Sequence, residues 1–216
     1  MEFWLATANV KEAEDLLAYG IFEGIITNPT IVVKEKCNPV EVFTKLSKVA
    51  NVLYYQIGHN TVDKMMEEAD KMLSIAPDKM RIKVPATKEG LSVIRKLSGQ
   101  GQTVMATIVP TAPWMMLALA AGAKAIAPYS RMIQQAGISS KIEEILNMQQ
   151  IIDMQHINVE ICTGLYSATD MSFYASYGIK SGFIFPDDAR NFLEQPLVED
   201  AASVYNPDLT ILHSFH

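Results

Sequence analysis

Lys83 lies in the middle of an apolar run in which Met80, Ile82, Val84 and Pro85 describe a short buried strand. Burying an ammonium among such side chains costs on the order of several kcal/mol unless something replaces its hydration. A lysine in an apolar mouth has one well-understood use. Desolvation disfavours the ammonium, lowers its pKa and leaves a fraction of free amine near neutral pH. That amine can attack a ketone or aldehyde to form a Schiff base. The protonated imine withdraws electrons, and the adjacent carbon–carbon bond can then break or form through an enamine. Snorkelling of the side chain to solvent is the structural alternative.

Ala6, Asn28, Gln56, Lys83, Thr107, Tyr129 and Thr163 each stand where an apolar run stops, and all but the first are polar. Each alone has a structural explanation: Asn28 as turn chemistry before Pro29, Thr107 and Thr163 as ordinary strand formers, Tyr129 as rim packing. Together on one rim, hydroxyl and amide groups would hold sugar hydroxyls and position a proton-transferring water. Arg81 shares the inward parity of Lys83, roughly 6–7 Å away at two-residue strand spacing. A neighbouring cation would depress the lysine pKa further. The favoured reading is that Glu2, inward by parity in the first run, neutralises Arg81.

The elements that position these residues recur along the chain as a short β-rich run followed by a helical pattern. The runs are EFWLAT, GIITN, VLYYQI, MRIKVP, TVMATIV, AIAPY, NVEICT and GFIFP, beginning near residues 2, 24, 52, 80, 103, 125, 158 and 182. Near-continuous apolarity marks strands of a parallel sheet covered on both faces. Between them, Val62, Met65, Met66, Ala69, Met72 and Leu73 form a helical face with Asn60 as the expected N-cap. Leu91, Ile94 and Leu97 repeat it behind a cap at Thr87, and Ile142, Ile145, Leu146 and Ile152 form a third face. The 12 methionines read mostly as core filler on such faces. Eight β-then-α units predict an α/β fold, a (β/α)8 TIM barrel in a single domain over residues 1–195. The rival open doubly wound sheet lacks a G-x-G-x-x-G after its first strand.

With 216 residues, 49% of them hydrophobic, the chain suits one barrel of that size. The net charge of −6 and the absence of a basic block exclude a nucleic-acid binder. The start MEFWLATANVKEAED has no basic n-region, and the longest apolar run falls short of the ~20 residues of a membrane span. The expectation is a soluble, cytoplasmic protein that does not bind a membrane. Cys37 and Cys162 are expected to be buried or half-buried thiols. His59, His156, His213 and His216 have no ligand spacing, so no metal or other cofactor is expected.

Four motifs, ITNPTI (26–31), IKVPATKEGL (82–91), AGAKAIAPY (121–129) and FPDD (185–188), resemble in order and spacing the small transaldolases and fructose-6-phosphate aldolases. The resemblance runs essentially end to end. It implies a TIM barrel whose Schiff-base lysine on the fourth strand is Lys83. It further implies that Asn28, with Thr27 beside it, contacts the substrate. Gln56 and Thr107 would surround a catalytic water, and Tyr129 would complete proton transfer. The aldolases of this family carry Tyr and Gln where transaldolases carry Phe and Glu, so Tyr129 and Gln56 favour the aldolase.

Two departures qualify that likeness. The family's first strand ends in an Asp that moves protons at the substrate hydroxyl, and here that position is Ala6, with Thr7 adjacent. Loss of a general acid/base commonly costs about 10²–10⁴ in rate. At the phosphate end, Arg131 and Thr163 stand for two expected groups, whereas Leu165 replaces a second cation. The leading expectation is a class I aldolase joining or releasing a dihydroxyacetone-type donor and an aldehyde, with a sugar or sugar phosphate as substrate. Transaldolase is the second, and a sugar-phosphate-binding paralogue of low activity the third. The family likeness also implies a homo-oligomer, pentamer or decamer, with residues 196–216 packing on a neighbouring subunit, and within that segment YNPDLTIL is expected to break the helical pattern at Pro207.

Overall fold

The computed structural model describes residues 1–129 and 131–215, apart from the Arg131 side chain. Its first four strands are β1 (Glu2–Leu5), β2 (Gly24–Ile26), β3 (Leu53–Gln56) and β4 (Met80–Pro85). The next four are β5 (Val104–Val109), β6 (Ala125–Pro128), β7 (Glu160–Gly164) and β8 (Ser181–Ile184). All pair in parallel and in sequence order, and β8 closes on β1 through Glu2–Ser181 to Leu5–Ile184. The protein is a (β/α)8 TIM barrel, as the recurring runs predict.

Around the barrel run α1 (Val10–Leu17), α2 (Pro29–Val33), α3 (Pro39–Leu46), α4 (Val62–Leu73), α5 (Lys88–Gly99) and α6 (Ala112–Ala121). They are followed by α7 (Arg131–Gln135), α8 (Lys141–Met154), α9 (Ala168–Ser176) and α10 (Pro186–Leu193). Two further helices, α11 (Pro196–Ser203) and α12 (Asn206–His213), complete the chain.

Strand alternation sends one set of side chains to the helices and the other into the barrel. Leu5, Ile25, Leu53 and Ile82 are fully buried beneath helices that contribute Phe43, Leu46, Ile94 and Leu97. The inward set is more polar. Trp4 donates from Nε1 to Ser181 Oγ at 3.0 Å and meets Tyr54 edge-on at 5.1 Å. Below them the Arg81 guanidinium lies 5.7 Å from the centre of the Tyr54 ring. Arg81 pulls the Glu160 carboxyl down, but burial first and then the hydrogen-bonded Glu2 hold that carboxyl above its ordinary range. Among the described residues no ion pair joins Arg81 to Glu2; both act on Glu160, which reaches the same layer from β7.

Local details follow the sequence with four corrections. Thr87 caps α5 by accepting from the Gly90 amide, whereas α4 is capped from Thr61 and not Asn60. Thr61 makes no side-chain cap bond, so nothing in the side chains fixes that boundary to one residue. Ile142 is exposed because the buried stripe of α8 runs through Ile145, Met148, Gln149 and Ile152. Cys37 is exposed, in the loop between α2 and α3, while Cys162 is buried on β7. Pro207 starts α12 instead of breaking the segment, since the first helical turn needs no amide there. Among the described residues, no helix is long and apolar enough to cross a membrane.

Candidate active site

The C-terminal ends of the strands open into a cavity of about 220 Å³ lined by Asn28, Lys83, Thr107, Tyr129, Tyr166 and Phe185, among others. Lys83 enters from β4, one residue before Val84 and level with Gln56 in the β3–β4 register. The close approach of Gly90 to the Pro85 carbonyl, which leaves no room for a Cβ, brings the first turn of α5 against the strand end. Trp114 adds a bond from Nε1 to the Ala86 carbonyl. Glycine in EGL therefore fixes the strand terminus that carries the lysine.

Only 7% of Lys83 is exposed, and its ammonium donates to the Thr27 carbonyl at 3.3 Å. Burial lowers its pKa from 10.5 to about 8, with Cys162 pulling the other way. The Cys162 thiol is itself pushed up to about 12 by burial, so it is neutral where the lysine titrates. Desolvation, and not the second cation Arg81, prepares the amine.

Asn28 both caps and lines. Its Oδ1 accepts from the Ile31 amide at 2.9 Å as the N-cap of α2, which leaves Nδ2 as the donor for a ligand. Thr107 is buried at the floor next to a β-bulge in which Ile108 takes φ +57°. That angle is a true outlier for a β-branched residue, of the kind that re-aims side chains beside active sites. Tyr129 is half exposed at the rim.

The remaining expected residues are placed differently. Gln56 stands beside Lys83 in register but is not among the residues that line the cavity. The Thr27 hydroxyl donates to the Tyr54 carbonyl at 2.9 Å, so its side chain secures β2 to β3 while its own carbonyl faces Lys83. Thr163 lies at the cavity wall, yet its side chain hydrogen-bonds Tyr174 on α9. Alternation from Glu160 and Cys162 continues inward at Gly164 and Tyr166, not at Thr163 and Leu165. Leu165 is fully buried against Gly182. The Arg131 side chain lies outside the described residues. Ala6 and Thr7 line a neighbouring cavity of about 410 Å³, where the Thr7 hydroxyl donates to Glu12 Oε2 at 2.8 Å.

Sequence reasoning missed Lys141, Tyr166, Phe183 and Phe185, all of which line the lysine cavity. The period-2 pattern of GFIFP held the signal for the two phenylalanines. The S-x-x-E spacing of Ser140 and Glu143, a capping box in the structure, held it for Lys141 at the first turn of α8.

The chain matches the transaldolase/fructose-6-phosphate aldolase family over residues 3–172. It belongs to that family. A probable transaldolase of Chelativorans sp. (strain BNC1) is 28% identical over 210 residues, 96% of each chain. A protein of Bacillus anthracis, described as probable transaldolase 1, is 30% identical over 165 residues, 74% of each. A protein of Listeria monocytogenes serovar 1/2a (strain ATCC BAA-679 / EGD-e), described as probable transaldolase 2, is 32% identical over 163 residues, 74% of this chain and 73% of its own. Family membership makes this an enzyme of the aldolase/transferase type.

Proposed function

We propose that the protein is a Schiff-base aldolase that forms and breaks the bond between a dihydroxyacetone-type donor and an aldehyde. The observation that carries this reading is the buried Lys83, its pKa lowered to about 8, in the wall of a cavity at the barrel mouth. Its neutral amine adds to the ketose carbonyl, and loss of water gives the protonated imine. A base takes the proton from the hydroxyl two carbons from the imine carbon. The carbon–carbon electrons then move into the imine, releasing an aldehyde and leaving an enamine. Protonation of the enamine and hydrolysis return dihydroxyacetone and the amine.

Asn28 Nδ2 is the donor for a hydroxyl of the three-carbon unit. Tyr129 and Thr107 handle protons through a water in the cavity, with Gln56 orienting that water from the adjacent strand. Thr163 and Arg131 remain candidates for the distal end of the substrate, Thr163 through its backbone. With alanine at position 6, proton removal falls to these hydroxyls, and turnover is expected to be slow.

Transaldolase is the second reading, favoured by the description of the relatives from Chelativorans, Bacillus and Listeria as probable transaldolases. The residues Tyr129 and Gln56 favour the aldolase. Cyanoborohydride trapping with dihydroxyacetone, mapped to a peptide, tests the shared imine. Assay of fructose 6-phosphate cleavage with and without an aldose-phosphate acceptor separates the two. Release of free dihydroxyacetone without acceptor supports the aldolase, and turnover that requires the acceptor supports the transferase. Trapping at Lys83 without either product would leave a binding protein of low activity.

A further inference from the structure

Among the described residues three that are not glycine take a positive φ, and Ile108 is the β-branched one, at +57° inside β5. A Cβ crowds the backbone in that left-handed region, and a β-branched residue suffers most there. Packing of the isoleucine side chain does not explain the conformation, because Ile108 is exposed. The backbone on either side is anchored instead. The Thr107 carbonyl accepts from the Ala86 amide at 2.7 Å, and the Val109 carbonyl accepts from the Tyr129 amide at 2.8 Å. The extra residue also changes which way β5 faces. Met105 and Thr107 pair with Lys83 and Pro85, so regular alternation would send Val109 into the mouth beyond Thr107. The register slips between Thr107–Ala127 and Val109–Pro128. Val109 is fully buried and does not line the cavity, which leaves Thr107 as the last inward side chain of β5.

We propose that Ile108 is a positioning residue for the carbon–carbon bond step, its left-handed backbone keeping Val109 out of the mouth and holding Tyr129 at the rim through the Val109 carbonyl. This deepens the aldolase reading and rests on its assignment of proton transfer to Tyr129. The site needs the extra residue and its backbone conformation, not the isoleucine side chain. Asparagine or glycine at 108 would supply both with less strain. A regular strand would put a valine side chain over Thr107 and break the bond that carries Tyr129. Lys83 is held from the other side, at the Thr27 carbonyl, so its amine does not depend on the bulge. Imine formation and the bond step are therefore separable at this position.

The test uses the full chain with Ile108 deleted, with Ile108→Asn and with Ile108→Gly, the deletion also being combined with Tyr129→Phe. Deletion is expected to keep cyanoborohydride trapping of dihydroxyacetone at Lys83 within about tenfold of wild type, while kcat for fructose 6-phosphate cleavage falls about 100-fold or more. Tyr129→Phe should lower kcat in the wild type and add nothing in the deletion, where the tyrosine is already out of place. Ile108→Asn and Ile108→Gly should keep kcat within about threefold and raise the melting temperature by about 2–4 °C. Additive effects of the deletion and Tyr129→Phe, equal losses of trapping and turnover, or a lower melting temperature in Ile108→Asn would overturn the assignment. If the deletion does not fold, the other two variants decide. A raised melting temperature with kcat retained supports the assignment, and lost kcat in a folded variant overturns it. Failure to trap an imine at Lys83 in the wild type would instead overturn the aldolase reading, while the melting temperatures would still report on the backbone at 108.

Discussion

The Lys83 ammonium donates to the Thr27 backbone carbonyl at 3.3 Å. That is long for such a bond, and a single neutral acceptor replaces little of the hydration a primary ammonium loses. Burial therefore dominates, and the amine titrates near 8 instead of 10.5. About one molecule in ten carries a free amine at pH 7 by this value. Imine formation with dihydroxyacetone should rise about tenfold from pH 6 to 7 and level off above 8. Rates of cyanoborohydride labelling across pH 6 to 9.5 measure this, with K83R as the unlabelled control. A flat profile, or labelling on another peptide, would contradict it.

The same lowered proton affinity is a cost to the fold. Between pH 8 and 10.5 the unfolded chain binds the lysine proton more tightly than the folded one, so stability rises with pH through that window. The penalty is fully present below pH 8 and gone above 10.5, and its size is about 3 kcal/mol. Lys83→Met keeps the length of the side chain and removes the charge. It should raise stability at pH 7 by up to about 3 kcal/mol and abolish the rise between pH 8 and 10.5, read by urea unfolding. Equal stability of the two proteins at pH 7 would mean that Lys83 is far better solvated than its burial indicates.

The sequence reveals most where one physical rule decides. Doubly covered strands are almost wholly apolar, so all eight runs could be read, and a lysine inside one of them stood out. Side-chain direction was less legible. Thr163 and Leu165 lie one residue out of phase with Glu160 and Cys162, and no period-2 pattern in NVEICTGLY marks which set faces inward. Asn28 could be read as cap or ligand, and its two amide atoms divide those roles. Lys141 was hidden because it comes from a helix after an intervening short helix, not from a strand end. The dual character of Thr27, a hydroxyl to β3 and a carbonyl to Lys83, depends on backbone geometry that composition does not encode.

Division of labour within Asn28 gives a separable pair of variants. Aspartate preserves the acceptor that caps α2 but removes the amide donor, whereas alanine removes both. Asn28→Ala should lose about 1 kcal/mol of stability together with donor affinity. Asn28→Asp should keep the stability, raise KM for dihydroxyacetone, and shift the pH profile of imine formation upward, because a carboxylate near Lys83 favours its ammonium. Thermal melts and the pH-dependent trapping assay read the two effects independently. If both variants lost the same stability, the cap would not depend on the Asn28 oxygen.

Helices α11 and α12 contain no buried residue, yet they carry Leu197, Val198, Leu209, Ile211, Leu212 and, just beyond, Phe215 exposed to solvent. Each such side chain gains about 1.5–3 kcal/mol when fully covered, so a stretch of six is a large unsatisfied driving force. The barrel of the same chain does not supply the cover, which leaves a second copy as the proposed partner, in keeping with a homo-oligomer. Deleting residues 196–216 should then convert an assembly of several subunits into a monomer by light scattering. The truncated barrel should remain folded, since no described residue of 196–216 belongs to its hydrophobic core. A monomeric full-length chain, or an assembly whose subunit number is unaffected by the deletion, would remove these helices from the interface.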